Sequence, residues 1–470
     1  MSTSSTIAAI ATPPGLGALS IVRLSGPESR TVARRLLPSR ARRLLEAGRI
    51  RFFSSFHDPI TGERIDEGLV HVFVAPESFT GEDGVELHGH GGRIAPERLL
   101  AATLAAGAVV AGPGAFARRA LLNGKLDLLQ AEAILDVIEA RSEGLHRQAV
   151  YQLAGALSRR IEELRRTLLE TLAILELQID FPEEEAADAA QDVSARVRSV
   201  REQVATLLGS YAAGGVLRHG VRVVIAGRPN VGKSSLFNCL LGEERAIVTR
   251  HPGTTRDAIE AEMSVDGILL RLVDTAGIRE ARDEVEAIGV ELARRQLEAA
   301  QVLLIVLDGT VTVAPEEERL LEDARARPHV IAVTKSDVAE GDVYDYCCSY
   351  MSKSVNGDQS SEALARPIQT SAVTGQGREE LLRTLLRAAT EGVRFDARTP
   401  ALTRLRHKQL LESSLPPLDR ALEELGSVRA APEKVAADVK DAADAVAGLL
   451  GAVTSEDVLE EIFSSFCIGK

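Results

Sequence analysis

Eight residues constrain this chain more than any others. Gly227-Arg228-Pro229-Asn230-Val231-Gly232-Lys233-Ser234 follows the apolar run 221–226 and precedes the helical text Ser235-Leu236-Phe237-Asn238. A strand, a glycine-bounded turn and a helix in that order form a phosphate-binding loop, because glycines let backbone N–H groups wrap an anion at a helix N-terminus. Lys233 is then placed to reach the β- and γ-phosphate oxygens, and Ser234 to bind Mg²⁺. Such a loop needs a sheet behind it, so this part of the chain is expected to be α/β.

Further pieces occur in the order that a GTP-hydrolysing domain requires. Thr254 and Thr255, in Gly253-Thr254-Thr255-Arg256-Asp257, offer a second hydroxyl for Mg²⁺, assigned to Thr255. Asp274-Thr275-Ala276-Gly277 ends an apolar run, where the Asp can hold Mg²⁺ through water and the Gly amide can meet the γ-phosphate. Thr334-Lys335-Ser336-Asp337 follows another such run. A carboxylate at Asp337 accepts both N1–H and N2–H of guanine, which adenine does not offer, and Ser371-Ala372 completes the base pocket. The expected GTP contacts are therefore Asn230, Val231, Gly232, Lys233, Ser234 and Ser235; Thr249, Arg250, His251, Pro252, Gly253, Thr254 and Thr255; Asp274, Thr275, Ala276 and Gly277; Thr334, Lys335, Ser336 and Asp337; and Ser371, Ala372 and Val373. Each motif alone is compatible with an ordinary loop, and the four in register carry the assignment. Two positions depart from the usual pattern. Thr334 stands where Asn is typical, and Ile278 stands where a Ras-like enzyme carries the Gln that orients the attacking water.

The rest of the chain organises around this module. Its 470 residues exceed one ordinary core and imply several domains. The apolar and charged fractions are those of soluble globular material, and no window offers the roughly 18 uninterrupted apolar residues of a membrane helix. Short β-rich runs at 7–10, 19–24, 69–74 and 84–87, with a helix over 95–106, predict an α+β domain over residues 1–118. From residue 126 the pattern is helical, with Ile161, Leu164, Leu168, Leu172, Leu175 and Ile179 on one face, until Asp180-Phe181-Pro182 breaks it. Strand-like runs at 221–226, 269–273, 302–307 and 330–333 define the α/β module. Helical text returns from about residue 402 to 466, with Pro416-Pro417 and Pro432 reading as interruptions. The expected layout is 1–118, a helical part 119–216, a GTPase module 217–390 inserted into that helical domain, and its second part 391–470. Residues 339–366 read as a surface insertion.

Composition limits the chemistry. Cys239, Cys347, Cys348 and Cys467 form neither CxxC pairs nor a disulfide framework, as expected in the cytosol. His88 and His90 make an HxH pair with no evident third ligand, so a turn-stabilising role is favoured over metal binding. With 55 Lys and Arg against 68 Asp and Glu, bulk charge does not favour nucleic acid. Locally, Arg30, Arg34, Arg35, Arg40, Arg42, Arg43 and Arg49 concentrate positive charge, which reads first as solvated helix faces and second as an RNA surface.

The two ends of the chain narrow the reading. Thr6-Ile7-Ala8-Ala9-Ile10-Ala11-Thr12-Pro13-Pro14-Gly15, Ser78-Phe79-Thr80-Gly81-Glu82-Asp83, His90-Gly91-Gly92, Leu122-Asn123-Gly124-Lys125-Leu126-Asp127-Leu128 and Phe466-Cys467-Ile468-Gly469-Lys470 together resemble the MnmE (TrmE) family of tRNA wobble-uridine modification GTPases, over essentially the whole chain. The resemblance implies an N-terminal domain that dimerises and binds a 5-formyl-tetrahydrofolate-type one-carbon donor. It also implies an FAD-dependent partner of the MnmG (GidA) type and tRNA as substrate, in the cytoplasm. By matching motifs, it puts folate contacts on Arg23, Glu86, Lys125 and Lys470. It implies K⁺ in place of an arginine finger, held by Asn230, Thr249, His251 and Thr254. Glu286 would position water, acting with Lys233 and Asp274. Cys467 is either reactive or a buried thiol beside Phe463 and Phe466. Leu16, Ala18 and Ala115 depart from the family's usual Arg, Gly and Glu. Physically, a Thr454 to Asp457 capping-box-like helix start before the terminal apolar run argues against mere fraying. The alternative is an Era-like GTPase switch in ribosome assembly, which the folate-like motifs disfavour. A dynamin-like GTPase lacks a membrane-binding stretch.

Overall fold

The computed structural model describes residues 5–181, 186–242, 259–274, 298–339, 342–352, 366–391, 400–427, 430–452 and 455–470. The chain opens with β1 (Ile7–Ile10), β2 (Leu19–Ser25), α1 (Ser29–Arg35), α2 (Ser39–Glu46), β3 (Arg51–His57), β4 (Arg64–Phe73), β5 (Gly84–His90), α3 (Ile94–Ala105), β6 (Val109–Val110) and α4 (Ala115–Leu122). The strands form one mixed sheet in the order β3-β4-β5-β2-β1-β6. Alternation decides its two faces: Val22, Leu24, Val70, Val72, Val85 and Leu87 point inward and pack with Val32, Leu36, Leu37, Leu45 and Leu99 from the helices. Strand β3 was not anticipated, because Arg51-Phe52-Phe53-Ser54-Ser55-Phe56-His57 begins in the arginine-rich stretch and alternates imperfectly.

Helices follow: α5 (Leu128–Glu139), α6 (Glu143–Leu153), α7 (Ala156–Asp180), α8 (Ala186–Gly209) and α9 (Tyr211–His219). On α7, Ile161, Leu164, Leu168 and Leu175 are buried as the stripe predicts. Thr171 is buried too, its hydroxyl donating to Thr167 O at 2.6 Å. Then come β7 (Val221–Ala226), α10 (Lys233–Leu241), β8 (Ile259–Val265), β9 (Ile268–Asp274), β10 (Val302–Asp308), α11 (Pro315–Ala324), β11 (His329–Thr334), α12 (Val343–Ser352), β12 (Ile368–Gln369) and α13 (Arg378–Thr390). The second sheet runs β12-β11-β10-β7-β9-β8, and only the β8–β9 pair is antiparallel. Every residue of β10 is buried, as a central parallel strand covered on both faces requires.

The last helices are α14 (Leu405–Leu425), α15 (Pro432–Leu450) and α16 (Glu456–Ser464). Here one expectation is corrected. Pro416 and Pro417 lie inside α14 and do not interrupt it. They remove the N–H groups that would reach the carbonyls of Glu412 and Ser413, but the fully buried Leu411, Leu418 and Ala421 hold the helix through them. Pro432 does mark an interruption: α14 ends at Leu425, and Pro432 begins α15 at a position where its missing N–H costs nothing. Helix α16 is capped from Ser455, with no side-chain cap bond, and Thr454 of the expected capping box lies outside the described residues. A second correction concerns part of residues 339–366. Val343, Cys347 and Met351 on α12 are buried against Leu321, Ile331 and Val333, so this stretch of the expected insertion belongs to the sheet's own cover. Burial pushes the Cys347 thiol up to about 12.

By packing, the chain divides into two units. One comprises Met1–Ile138, Tyr151–Val200 and Ser413–Lys470; the other comprises Glu139–Val150 and Arg201–Glu412. In the first, α7 lies along α15. Among the described residues no helix is long and apolar enough to cross a membrane.

On the first sheet, His90 Nδ1 sits 2.6 Å from Asp66 Oδ1, and the His90 backbone N–H donates to Asp66 Oδ2 at 2.7 Å. Gly89 makes room, since a Cβ there would lie 2.5 Å from Asp66 Oδ2. Burial raises the Asp66 carboxyl, but the bonds from His90 outweigh it and leave a net lowering. The hydrogen bond to Asp66, then its charge, raise His90. The raised His90 contributes stability below its ordinary value near 6.5 and loses it as pH climbs through the folded value. The lowered Asp66 contributes above its ordinary value near 3.8 and loses it as pH falls. An imidazole NMR titration should therefore find His90 above 6.5 in the parent and returned toward 6.5 in Asp66→Asn. An unchanged midpoint would remove the pair from the account.

Candidate functional site

The phosphate loop springs from the end of β7. Gly227 lies at φ +155°, and a Cβ there would sit 2.4 Å from Val306 O of neighbouring β10, so only glycine lets the loop leave the sheet at this point. Asn230 adopts φ +65° and Gly232 φ +96°, both left-handed, which turns the chain into α10 at Lys233. Lys233 is buried, and its Nζ donates to Gly227 O at 3.0 Å and Arg228 O at 2.7 Å. Ser234 Oγ donates to Asp274 Oδ2 at 2.9 Å. That contact joins the helix start to the buried end of β9, and two hard oxygen ligands side by side suit a divalent cation such as Mg²⁺.

The base-reading motif lies beside this loop. Thr334 Oγ1 is 2.6 Å from Val231 O and 3.0 Å from Leu307 O, so one hydroxyl ties the phosphate loop to the ends of β10 and β11. Its departure from Asn thus keeps a structural bond to the loop. Lys335, at φ +58°, pairs with Asp308 Oδ2 at 2.5 Å. Burial raises the Asp308 carboxyl, but the bonds from Lys335 and Thr310 outweigh it and hold it below its usual range. Ser336 N donates to Thr370 O at 3.1 Å, and Ser371 Oγ accepts from Val373 N and Thr374 N, so the 334–337 and 370–374 loops are braced together. Asp337 and Val373 are exposed beside them, and Ser235 is exposed on α10.

Two groups at this site have no precedent in the motif reading. Arg378 donates to Cys239 O and Leu240 O at 2.8 Å each, closing the C-terminus of α10 with a cation. Arg228 Nη1 approaches Glu317 Oε2 at 3.7 Å, while the same oxygen accepts from Ala314 N at 2.8 Å at the start of α11. Only the Glu-rich first turn after Pro315 hinted at the second. Thr249, Arg250, His251, Pro252, Gly253, Thr254, Thr255, Thr275, Ala276, Gly277, Ile278 and Glu286 lie outside the described residues.

A second site occupies the first unit. A cavity of about 220 Å³ is lined by Arg23, Ser25, Ser78, Phe79, Thr80, Gly84, Glu86 and Phe116, among others. The Arg23 guanidinium lies 5.9 Å from the Phe79 ring centre and 5.8 Å from that of Phe116, and it donates to Glu86 Oε1 at 2.9 Å and Gly469 O at 3.3 Å. Glu86 Oε2 is 3.0 Å from His88 Nε2. Burial raises the Glu86 carboxyl, but these partners outweigh it and lower it overall. The terminal residues complete one side: Phe116 N donates to Lys470 O at 3.1 Å, and Ile468 bridges to Pro113. Gly469 takes φ +96° with its Cα pressed on β1, where a Cβ would meet Ile10 O at 2.7 Å. Burial, then the neighbouring Arg23 charge, lowers the half-buried Lys470 ammonium. A buried network of Arg119, Glu82, Ser25 and Thr80 fixes the wall behind, with Ser25 Oγ 2.7 Å from Thr80 Oγ1 and 2.6 Å from Glu82 Oε2.

Of the four expected ligand contacts, Arg23 and Glu86 line the cavity, and Lys470 lies near both of them without lining it. Lys125 does not line the cavity; its Nζ donates to Pro76 O at 3.1 Å, and its side chain packs at Gly81, in the turn whose Ser78, Phe79 and Thr80 are lining residues. Phe79 and Phe116 were missed, although Phe79 stands in a motif already singled out. Cys467 is exposed, which overturns the buried-thiol alternative, while Phe463 and Phe466 are buried beside each other. Among the described residues, His88 and His90 form no metal cluster; they bond to Glu86 and Asp66.

Comparison with known proteins matches both parts of the chain. A family model for the MnmE helical domain matches residues 128–467, and one for the GTP-binding protein TrmE N-terminus matches residues 6–125. A "tRNA modification GTPase MnmE" from Heliobacterium modesticaldum is 44% identical over 473 residues, covering 99% of each chain. Proteins with the same description from Geobacter sulfurreducens and Aquifex aeolicus are each 39% identical, again with 99% of each chain covered.

The Thr334 hydroxyl gives a direct test of the loop geometry. Thr334→Val keeps the shape and removes the one hydroxyl proton that the carbonyls of Val231 and Leu307 share, so it should cost about 1–3 kcal/mol, read as a lowered denaturation midpoint. Thr334→Ser should recover most of that loss, and equal stability of Val and Thr variants would dismiss the brace.

Proposed function

The chain belongs to the MnmE (TrmE) family, and from that membership we propose that it is a K⁺-stimulated GTPase which, with an FAD-dependent partner of the MnmG type, carries out 5-carboxymethylaminomethyl-type modification of uridine 34 in tRNA. A formyl-tetrahydrofolate-type molecule is the one-carbon donor. The relatives match from end to end, so the Era-like ribosome-assembly alternative finds no support. The observation that carries the hydrolytic half is the Ser234–Asp274 contact beside the buried Lys233 in a phosphate loop at the end of β7.

In this reading the chain works as two chemically distinct parts, within the layout 1–118, 119–216, 217–390 and 391–470. Lys233 leaves the carbonyls of Gly227 and Arg228 for phosphate oxygens, exchanging one set of charge-assisted bonds for another. Ser234 and Thr255 hold Mg²⁺, with Asp274 behind them. Asn230, at its left-handed position with an exposed carboxamide, holds K⁺ together with Thr249, His251 and Thr254. When bound, these cations supply positive charge against the phosphates, the task an arginine finger performs elsewhere. Glu286 orients water in place of the Gln that Ile278 replaces. Asp337, held by the braced 334–337 loop, reads guanine.

The cavity at Arg23 suits the heterocyclic end of a folate. At about 220 Å³ it falls below the roughly 300–1,000 Å³ of pockets that enclose whole drug-sized ligands. Two phenyl rings offer stacking, Glu86 accepts ring N–H groups, and the Arg23 and Lys470 cations favour an anionic tail. Lys125 contributes from the turn below. Cys467 lies exposed at the same C-terminal segment and is proposed as a reactive group. The N-terminal domain forms the homodimer.

Hydrolysis of GTP by the purified chain should be several-fold faster in KCl than in matched NaCl, and Asn230→Ala should erase the difference while sparing GTP binding. Equal rates in both salts would end the cation proposal. Separately, Arg23→Ala should abolish calorimetric binding of 5-formyl-tetrahydrofolate and leave the hydrolysis rate within twofold; undiminished folate binding would place the donor elsewhere.

A further inference from the structure

Residues 28–51 contain eight arginines and two glutamates in a chain whose formal net charge is −13. Four of these arginines are spent locally. Arg30 pairs with Asp83 and Arg34 with Glu46, while Arg35 donates to Ala106 O at 2.5 Å and Arg42 to Leu37 O at 2.6 Å. The other four, Arg40 and Arg43 on α2, Arg49 in the connection and Arg51 at the start of β3, are exposed and have no acidic partner among the described residues. Elsewhere, arginines such as Arg93, Arg98, Arg160 and Arg383 each face a glutamate. Arg40 and Arg43 are three apart and share a helix face, so α2 and the strand that follows it present one uncompensated cationic edge.

Arg51, at one end of this edge, is in register with the cavity, while α2 packs on the sheet's inner face through Ala41 and Leu45. Arg51 is registered opposite His71, His71 opposite Glu86, and Glu86 opposite Arg23, in one line across β3, β4, β5 and β2. Three strand spacings put Arg51 about 14 Å from Arg23. We propose that Arg40, Arg43, Arg49 and Arg51 form a phosphodiester-binding edge that holds the tRNA backbone beside the Arg23 cavity. This rests on the tRNA reading above. Guanidinium groups suit phosphate through paired N–H donors, and with aromatic residues only 3% of the chain the attraction is electrostatic rather than base-stacking. It must then weaken with salt, as counterions released from the nucleic acid compete back.

The test compares the full chain with the quadruple variant Arg40→Ala/Arg43→Ala/Arg49→Ala/Arg51→Ala, using fluorescence anisotropy of an unmodified tRNA transcript at several KCl concentrations. The control variant Arg93→Ala/Arg98→Ala/Arg160→Ala/Arg383→Ala removes the same charge from paired positions. The edge variant should bind at least about 10-fold more weakly near 0.1 M salt, with a log–log salt slope shallower by about 3, while its GTPase rate and melting point match the parent's. Binding within twofold of the parent overturns the edge, and so does an equal loss in the control. Loss of binding to phosphatidylserine vesicles with tRNA affinity unchanged assigns the edge to a membrane and equally overturns the proposal. A parent that hydrolyses GTP but binds no tRNA overturns the tRNA reading together with the edge, whereas parent binding that survives in the edge variant overturns the edge alone.

Discussion

The nucleotide-site geometry depends on the parallel pairing of β7 with both β9 and β10. A parallel strand between two parallel neighbours ends where the chain must part from the sheet, and the crevice beyond its carboxyl end is where α/β proteins place ligands. Here that departure has almost no room. The carbonyl of Val306 stands where a Cβ at Gly227 would be, so the loop's first residue is fixed by backbone contact before any phosphate chemistry enters. The same pairing sets Asp274 level with Ile225, at the height where Ser234 meets it from α10. Substituting the loop's side chains changes its chemistry, but its position belongs to the sheet.

Backbone-dictated features were the most legible in the sequence. A glycine-bounded turn between an apolar run and a helix leaves few alternatives, and β7, β9, β10 and β11 appear close to where their Val, Ile and Leu runs lie. Strand β8 escaped notice because Ile259-Glu260-Ala261-Glu262-Met263-Ser264-Val265 is an edge strand with charge on one side, and β12 because two residues give no period at all. The prolines of α14 misled for a different reason. Proline's local penalty of about 3 kcal/mol is real, but Leu411, Leu418 and Ala421 are fully buried on either side of the pair, and that burial is not visible in a proline count.

Side-chain convergence was less legible than backbone. The resemblance named Arg23, Glu86 and Lys470 as partners, and spacing alone never would have, since one is on β2, one on β5 and one at the last position. The flanking rings of Phe79 and Phe116 could have been found from the aromatic count: with so few aromatics in the chain, one inside a Ser-Phe-Thr-Gly turn is unusual. The role of Thr334 was invisible for the opposite reason. A motif comparison registers a missing Asn, while the hydroxyl's bond to Val231 O is a matter of reach across the site.

The last residues of the chain have a consequence for how the molecule is made. Arg23 bonds to Gly469, 446 residues further on, and Phe116 N takes its partner from Lys470. A ribosome emits β1 to α4 first, and at roughly 5–20 residues per second the piece that finishes one side of the Arg23 cavity follows roughly 20–70 seconds later. During that interval the nascent sheet can bury its inner face against its own helices, but the Arg23 cavity stands open on one side. The wall that Gly469 and Lys470 supply is therefore added long after the sheet it closes, so the cavity takes its final shape in a later step than the fold around it.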